Sequence, residues 1–392
     1  MVELSTDAKT PVRLVRIISR TNVGGAALVV TALTRHRGSD GFEQTLLRGS
    51  CDVGEIDYLE VRAPDVVSTT VPGMGRDVRF LGDIRAIWFI YRELRRLRPQ
   101  IVCTHTAKAG ALGRLAALAA RVPIRVHTFH GHVLSGYFGP WTTRAVVSVE
   151  RILGRTTTYI VAVGDRTLDD LVEAKIADPL RSCSIAPGIQ RAAEVDADTA
   201  RSSLGLPVDA QVLMFVGRLT AIKRPERFVM LAEDLRDEFP DAVFVFVGDG
   251  TLRPELESEA GPNVRFLGWQ SDIPTVMSAA DVVVLTSDNE GMPVALIEAA
   301  MYGVPSVATD AGATRRVVLD GETGIVVDIG DRPALAAAVG ELLGDPDRRQ
   351  AFSVRARQHA DEQFSEGRLV SDYAALYDKL LAERAPSHVV TP

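Results

Sequence analysis

The sequence predicts an α/β protein of two Rossmann-like domains, on three observations. Short β-branched runs alternate with amphipathic helical patterns along the chain, as in parallel sheets built from βαβ units. Its 392 residues exceed what one hydrophobic core organises. The stretch from Pro187 to Pro207, with Gly188 and Gly205, lacks strand patterning and so reads as a linker between the halves.

Composition narrows the class. With 46% hydrophobic and 24% charged residues the chain reads as globular rather than disordered or fibrous. Cys51, Cys103 and Cys183 are odd in number and form no Cys-x-x-Cys pair, which argues against a disulfide framework or zinc site and for a reducing compartment. The first ten residues are polar, and Arg13 and Arg16 interrupt the short apolar run from Val12 to Ile18. No secretion signal is expected, and no run of eighteen uncharged apolar residues spans a bilayer. The expected location is the cytoplasm, with peripheral contact at the inner membrane face left open. A net charge of -7 argues against whole-surface attraction to nucleic acid or anionic lipid, so no nucleic-acid partner is expected, while a local basic patch stays permitted.

In the first half, strands are predicted at Val12 to Ser19, Ile101 to Thr104, Ile124 to Phe129 and Tyr159 to Val163. Phe80, Ile84, Ile87, Tyr91, Leu94 and Leu97 recur at helical spacing up to Pro99, predicting a helix that packs this face on the sheet. Arg85, Arg92, Arg95, Arg96 and Arg98 on the same helix read as its solvated face, with anionic lipid as the alternative. Arg62 to Arg79, containing Pro72, Gly73 and Gly75, has little pattern of its own and reads as a loop of the kind that shapes a binding pocket.

In the second half, strands are predicted at Val212 to Val216, Val243 to Val247, Val264 to Leu267, Val282 to Thr286 and Ser306 to Ala308. Beyond Phe364, Leu369, Tyr373, Leu376 and Leu380 share one side of a last helix, and the final eight residues read as unstructured. The expected organisation is a first domain over 1–190 with 365–384 crossing back to it, a linker over 191–210, and a second domain over 211–364.

The most informative segment is Ser287-Asp-Asn-Glu290-Gly291-Met292-Pro293-Val294-Ala295-Leu-Ile-Glu298, directly after an apolar strand. Pro293 suits the first helical position, so the free N–H groups of Val294 and Ala295 would face the strand's carboxyl end and attract phosphate. Gly291 permits close backbone approach, Glu290 would accept hydrogen bonds from sugar hydroxyls, and Glu298 would reach a ribose diol. The structural alternative has Glu290 capping the helix and Glu298 on a solvated face. Upstream, Val216-Gly-Arg218-Leu-Thr-Ala-Ile-Lys223 also follows a strand. Its two cations would stabilise the charge on a departing nucleotide diphosphate.

From Gly217 to Gly324 the chain resembles the donor domain of the retaining family-four glycosyltransferases, of GT-B fold. The resemblance is carried by Gly-Arg-Leu followed by Lys223, by Val247-Gly-Asp-Gly, by Asn263-Val-Arg-Phe-Leu-Gly, and by Glu290 and Glu298 seven residues apart. It implies two Rossmann-like domains facing across a cleft. Arg218 and Lys223 would hold the donor diphosphate, Glu290 the transferred sugar and Glu298 the ribose, with Trp269 beside the base. Gly24 and Gly25, after the opening strand, resemble the family's glycine turn toward the diphosphate. Thr104-His105-Thr-Ala-Lys108 and His127-Thr-Phe-His130-Gly-His132 resemble family members that build polysaccharide or lipid-linked oligosaccharide chains. By that resemblance His130 lies beside the reacting sugar, while His105 and Lys108 border the acceptor. The sequence departs from the family at Pro187-Gly188, which lacks a following asparagine. It departs again at Gly312-Ala313 and Arg316, where the family has Gly-Gly and Glu.

The implied activity is retaining hexosyl or pentosyl transfer from a nucleotide diphosphate sugar, UDP first and GDP second, to a glycan, lipid-linked or small-molecule acceptor. Two glutamates on one loop and its helix do not flank an anomeric carbon as a glycosidase pair does. Asp196-Ala-Asp198 superficially matches a metal-binding pair, but no strand precedes it and it reads as a solvated helix start. Nor does any Glu or Cys complete a zinc set with the histidines of these segments. No cofactor and no metal are therefore expected. The rivals are a sugar-nucleotide epimerase, which product analysis without acceptor separates, and a non-catalytic sugar-nucleotide-binding scaffold.

Overall fold

The computed structural model describes residues 11–36, 41–131 and 140–384. The expectations for the first ten and last eight residues, and for His132, fall outside the described residues. Two compact units result, one comprising the chain up to Ala186 together with the segment from Leu369, the other running from Pro187 to Arg368.

The strands of the first unit are β1 (Val12–Ile18), β2 (Phe42–Arg48), β3 (Ser68–Thr70), β4 (Ile101–His105), β5 (Ile124–Phe129), β6 (Tyr159–Ala162) and β7 (Ser182–Ser184). Its helices are α1 (Gly25–Arg35), α2 (Tyr58–Arg62), α3 (Phe80–Leu97), α4 (Ala107–Ala119), α5 (Pro140–Thr156) and α6 (Asp165–Glu173). The second unit carries β8 (Gln211–Val216), β9 (Ala242–Val247), β10 (Val264–Gly268), β11 (Val282–Leu285), β12 (Ser306–Thr309) and β13 (Gly324–Val327). Its helices are α7 (Ala197–Ser203), α8 (Glu226–Asp234), α9 (Arg253–Glu259), α10 (Ile273–Ala279), α11 (Val294–Met301), α12 (Thr314–Val317), α13 (Arg332–Gly344) and α14 (Pro346–Gln363). A last helix, α15 (Glu366–Ala382), runs from the second unit into the segment that belongs to the first. No described helix is long and apolar enough to cross a membrane.

Both sheets are parallel. Their orders are β3-β2-β1-β4-β5-β6-β7 and β10-β9-β8-β11-β12-β13. Each order reverses direction at its first strand, leaving a switch point between β1 and β4 and another between β8 and β11. Open α/β sheets bind ligands at the carboxyl ends flanking such a point.

The strands expected from β-branched runs all form, within a residue or two of the predicted ends. The sequence reading omitted β2, β3, β7 and β13. Phe42-Glu-Gln-Thr-Leu-Leu-Arg holds a single β-branched residue, and the other three are three or four residues long. Thus β3 sits inside the expected 62–79 loop, paired to β2. The expected linker over 191–210 is instead folded into the second unit, with α7 pinned by Arg201 to Asp281 at 2.8 Å and to the Ala279 carbonyl at 3.1 Å. Asp196 caps that helix by accepting from the Thr199 N–H at 3.1 Å, the solvated helix start expected of it.

In β1, alternation divides the side chains between two faces. Val15 and Ile17 join the core formed with α3 and α4, whereas Ile18 packs with Val30 of α1. Arg16 is buried between them in sequence and bonds Gln44 Oε1 at 2.9 Å and the Tyr377 hydroxyl of α15 at 3.0 Å. Its guanidinium lies 5.7 Å from the Tyr377 ring and 6.0 Å from the Tyr373 ring. Tyr373 bonds Thr128 of β5 at 3.0 Å and the Tyr377 hydroxyl lies 3.0 Å from Cys103 Sγ of β4, so α15 is fastened to three strands of the first sheet. The aromatic faces and hydroxyl keep a buried cation solvated where no carboxylate pairs with it among the described residues.

On the opposite face, α4 approaches β4 and β5 through glycines. A Cβ on Gly110 would stand 2.4 Å from Cε1 of His127, a ring held by the Thr104 hydroxyl at 2.8 Å. Since neither backbone nor ring has room to yield, Gly110→Ala is expected to cost about 1–3 kcal/mol through overpacking. The check is urea denaturation: the midpoint falls with the m value unchanged, and an unchanged midpoint contradicts the packing described.

Candidate active site

In the second unit, β8 and β11 flank the switch point and each ends in a loop carrying charge. The β8 loop runs through Arg218 into a single 3-10 turn, Ala221–Lys223, and the β11 loop runs from Thr286 to Pro293. The two are laced together. The Thr286 hydroxyl donates to the Lys223 carbonyl at 3.1 Å and the Arg224 carbonyl at 2.9 Å, and the Asp288 N–H to the Ile222 carbonyl at 3.0 Å. Arg227 adds an ion pair to Asp288 at 2.7 Å.

This lacing brings Lys223 onto Glu290. The ammonium donates to Glu290 Oε1, and the Ser287 hydroxyl donates to the same oxygen at 2.7 Å. Glu290 is 8% exposed and Lys223 20%, so the pair is partly withdrawn from water. Glu290 therefore does not cap the following helix. Its carboxylate is occupied by a lysine and a serine, and the cap position is Pro293, one residue earlier than the first helical position expected of it.

The α11 amides of Val294 and Ala295 precede the first that finds a backbone acceptor, Leu296 to Pro293 at 3.0 Å. Val294, Ala295 and Glu298 are half-buried on one side of α11, while Met292 is buried and anchors the loop. Arg218 is exposed, with no ion pair among the described residues. The hydroxyl of the adjacent Thr220 is buried without a hydrogen-bond partner. Trp269, half-buried, follows β10 on the far side of β9.

Glycines let the loops close on one another. A Cβ on Gly248 would stand 2.0 Å from the Gly217 carbonyl oxygen, and one on Gly250 2.2 Å from that of Leu219. The β9 turn thus braces the Arg218 loop, a structural role. Gly312 takes a left-handed φ of +60°, and its Cβ would fall 1.7 Å from the Glu290 carbonyl oxygen. The position where the sequence departs from the family pattern therefore holds the backbone of Glu290. Ser287 and Gly312 were given no role by the sequence reading. Ser287 stands three residues before Glu290 in the segment already singled out, whereas only the fold shows that Gly312 touches it.

In the first unit, the glycine turn and the histidines flank the other switch point. Gly24 is exposed at the amino end of α1 with open space around it. Gly25 opens that helix, so backbone approach to Gly24 is unobstructed. His105 ends β4 and is fully buried, so it borders no acceptor directly. It bonds through Nδ1 to Nε2 of His130 at 3.0 Å. Lys108 is likewise committed, to Asp83 at 2.7 Å and to the Asp77 carbonyl, holding the 71–79 segment rather than standing free. The sequence placed both residues on the acceptor side. The structure makes His105 a support for His130 and Lys108 a brace, because the His105 ring bonds His130 and the Lys108 ammonium is engaged by Asp83 and the Asp77 carbonyl.

Burial pushes His105 well below the ordinary histidine value, with the neighbouring His130 and Arg16 charges acting the same way. Desolvation alone lowers His130, to about 4. Both rings are neutral near pH 7. His105 Nε2 is buried without a partner, and an orphaned N–H there would cost more than an orphaned lone pair. His105 Nδ1 is therefore assigned as the donor to His130 Nε2, leaving the His130 hydrogen on Nδ1. His127 bonds Thr104 and packs edge-on against Phe129 at 4.5 Å, a core histidine.

A cavity of 570 Å³ opens elsewhere, along α14 between Gln350 and Glu362. It lies along one helix and includes none of the convergent loop residues, so geometry rather than volume selects the site.

Two doubly wound parallel units, one with cations and helix amides gathered at its switch point, have the architecture of the GT-B glycosyltransferases. Residues 196–359 match the family described as Glycosyl transferases group 1, and residues 23–191 match Glycosyltransferase Family 4. The chain belongs to glycosyltransferase family 4. It is 31% identical over 316 residues to D-inositol 3-phosphate glycosyltransferase of Salinispora arenicola, covering 73% of this chain and 70% of that one. It is 29% identical over 301 residues to UDP-Gal:alpha-D-GlcNAc-diphosphoundecaprenol alpha-1,3-galactosyltransferase of Escherichia coli, covering 74% and 77% respectively. Anabaena HepE, solved in complex with UDP and glucose, superposes with a TM-score of 0.78 at 20% identity, covering 93% of this chain and 99% of that chain.

The histidine pair has a measurable consequence. Because the folded pKa of His130 lies near 4, below the ordinary 6.5, the unfolded chain takes up the His130 proton first as pH falls. Stability from this residue is full above pH 6.5 and is lost as pH drops toward about 4. His130→Asn is expected to flatten the decline of the urea midpoint across that window. An identical slope in the two proteins contradicts the neutral assignment.

Proposed function

We propose that this chain is a retaining glycosyltransferase transferring a hexosyl or pentosyl group from a UDP-sugar to a glycan or lipid-linked acceptor hydroxyl, without a metal ion. The observation that carries this reading is the Lys223–Glu290 pair beside the α11 amides at the β8/β11 switch point. A diphosphate placed there draws the Lys223 ammonium toward its oxygens, with Arg218 as second cation. Glu290, relieved of part of its partner, accepts from hydroxyls of the sugar while Ser287 keeps it oriented. Val294 and Ala295 direct their N–H groups to a phosphate oxygen, Glu298 takes the ribose diol, and Trp269 lines the base. The choice of UDP is supported by the two similar proteins named for it or solved with it.

Bond changes balance without an external base. The acceptor oxygen bonds to the anomeric carbon on the face from which the diphosphate leaves, through an oxocarbenium-like state. The departing phosphate oxygen, stabilised by Arg218, Lys223 and the amides, takes the acceptor's proton. Configuration is retained because entry and departure share a face. On the first unit we assign to His130 a hydrogen bond with a sugar hydroxyl, with His105 as its positioning residue.

The test is turnover of the purified chain with a panel of UDP- and GDP-sugars and lipid-linked or glycan acceptors, with product anomers read by proton NMR. The expected result is an α-linked product from an α-donor, undiminished by a chelator. Lys223→Ala is expected to lower kcat by about 100-fold or more. An inverted product, loss of turnover on chelation, or full rate in the variant overturns the proposal. An acceptor-independent change of the donor sugar identifies an epimerase instead.

A further inference from the structure

The outer face of α3, α4 and α5 departs from what a solvated helical layer requires. On α3 the face expected to pack is only partly the buried one. Ala86, Ile90 and Leu94 are buried, whereas Phe80 is 78% exposed, Leu81 79% and Trp88 59%. Leu81, Ile84 and Trp88 lie at helical spacing along one outward stripe, and Arg92, Arg95 and Arg96 continue it toward the carboxyl end.

The neighbours extend the anomaly. Helix α4 lies between α3 and α5 in contact with both. Its two ionisable residues are turned to internal partners, Lys108 to Asp83 and Arg114 to Glu150. Leu115 and Leu118 are therefore presented outward with no charge between them. On α5, Trp141 is 79% exposed and Ile152 62%, with the Arg144 guanidinium 5.2 Å from the Trp141 ring. Single exposed apolar residues need no explanation, but a face of tryptophan, leucine and isoleucine shared by three adjacent helices does.

Charge identifies the occupant. Helix α3 carries four arginines and α5 three, against the three carboxylates Asp83, Glu93 and Glu150, in a chain whose net charge is -7. Each carboxylate is already engaged, Asp83 by Lys108, Glu93 by Arg96 and Glu150 by Arg114. Such a face would repel a second copy of itself in a twofold dimer. It suits a surface that is anionic at its headgroups and apolar beneath: tryptophans settle at the interface, short apolar side chains enter the acyl boundary, and arginines stay with phosphates.

We propose that the α3–α4–α5 face docks this protein on an anionic lipid bilayer. The proposal concerns a surface distinct from the loops at the sheet ends, so it stands or falls apart from the transfer chemistry.

The experiment is flotation of the full chain with vesicles of phosphatidylglycerol and phosphatidylcholine, and with phosphatidylcholine alone, at low and high salt. Binding is expected to the anionic vesicles and to weaken with salt. A triple variant, Arg92→Glu with Arg95→Glu and Arg96→Glu, is expected to reduce partitioning at least tenfold, roughly the loss of three basic contacts near a charged membrane. Trp88→Ser should reduce it independently of salt. All four side chains are exposed, and unchanged thermal unfolding confirms that the variants fold. No vesicle binding, equal binding to the two lipid compositions, or a triple variant that binds like the wild type overturns the proposal. So does a change in sedimentation of Trp88→Ser without lipid, which would assign the face to a second copy of the chain.

Discussion

A lysine and a glutamate from loops on either side of the second sheet's switch point hold each other partly out of water, and the candidate donor chemistry depends on that constraint. Ser287 of its own loop orients Glu290, while Lys223 reaches it from the other loop. Threonine, aspartate and arginine contacts lace the loops together, and Gly312 lets the β12 loop press against the Glu290 backbone. A close pair of this kind stores no catalytic strain by itself. It keeps the carboxylate aimed, and keeps the ammonium where an anion can claim it. Breaking such a pair by removing one partner leaves the other poorly compensated, so the two residues are a unit rather than separate contributions.

The first unit solves a different problem, that of burying polar groups around its own switch point. Arg16 is sheltered by tyrosines of α15, and the imidazoles of His105 and His130 bond each other while remaining neutral. The same arrangement links the last helix to the strand that leads into the Gly24 turn. A neutral His130 backed by a buried partner can offer a fixed hydrogen-bond donor, which suits recognition of a hydroxyl better than transfer of a proton near neutral pH.

Much of this was legible in the sequence because the strands that build the switch points read as apolar runs containing β-branched residues. Val12–Ile18, Gln211–Val216 and Val282–Leu285 announce themselves, and the charged segments follow them directly. What escaped is what periodicity does not encode. The strand Phe42–Arg48 buries Phe42, Gln44, Leu46 and Leu47 without β-branched enrichment. The helix Phe80–Leu97 has apolar residues on more than one side, so spacing alone chose a face that includes the exposed Phe80 and Ile84. His105 and Lys108 sit where ligand-facing residues belong, but whether such side chains turn outward or are consumed internally is decided by long-range partners, Asp83 and His130, that no local pattern reveals. Gly312 shows the reverse: an apparent departure from a motif performs its own steric task.

The most direct test of the central constraint is calorimetric titration of UDP into the wild type, Lys223→Ala and Glu290→Ala at one ionic strength. If the ammonium is shared between the glutamate and an incoming diphosphate, Lys223→Ala loses most of its affinity, while Glu290→Ala binds UDP as tightly as the wild type or more tightly. UDP affinity unchanged in Lys223→Ala would contradict the account.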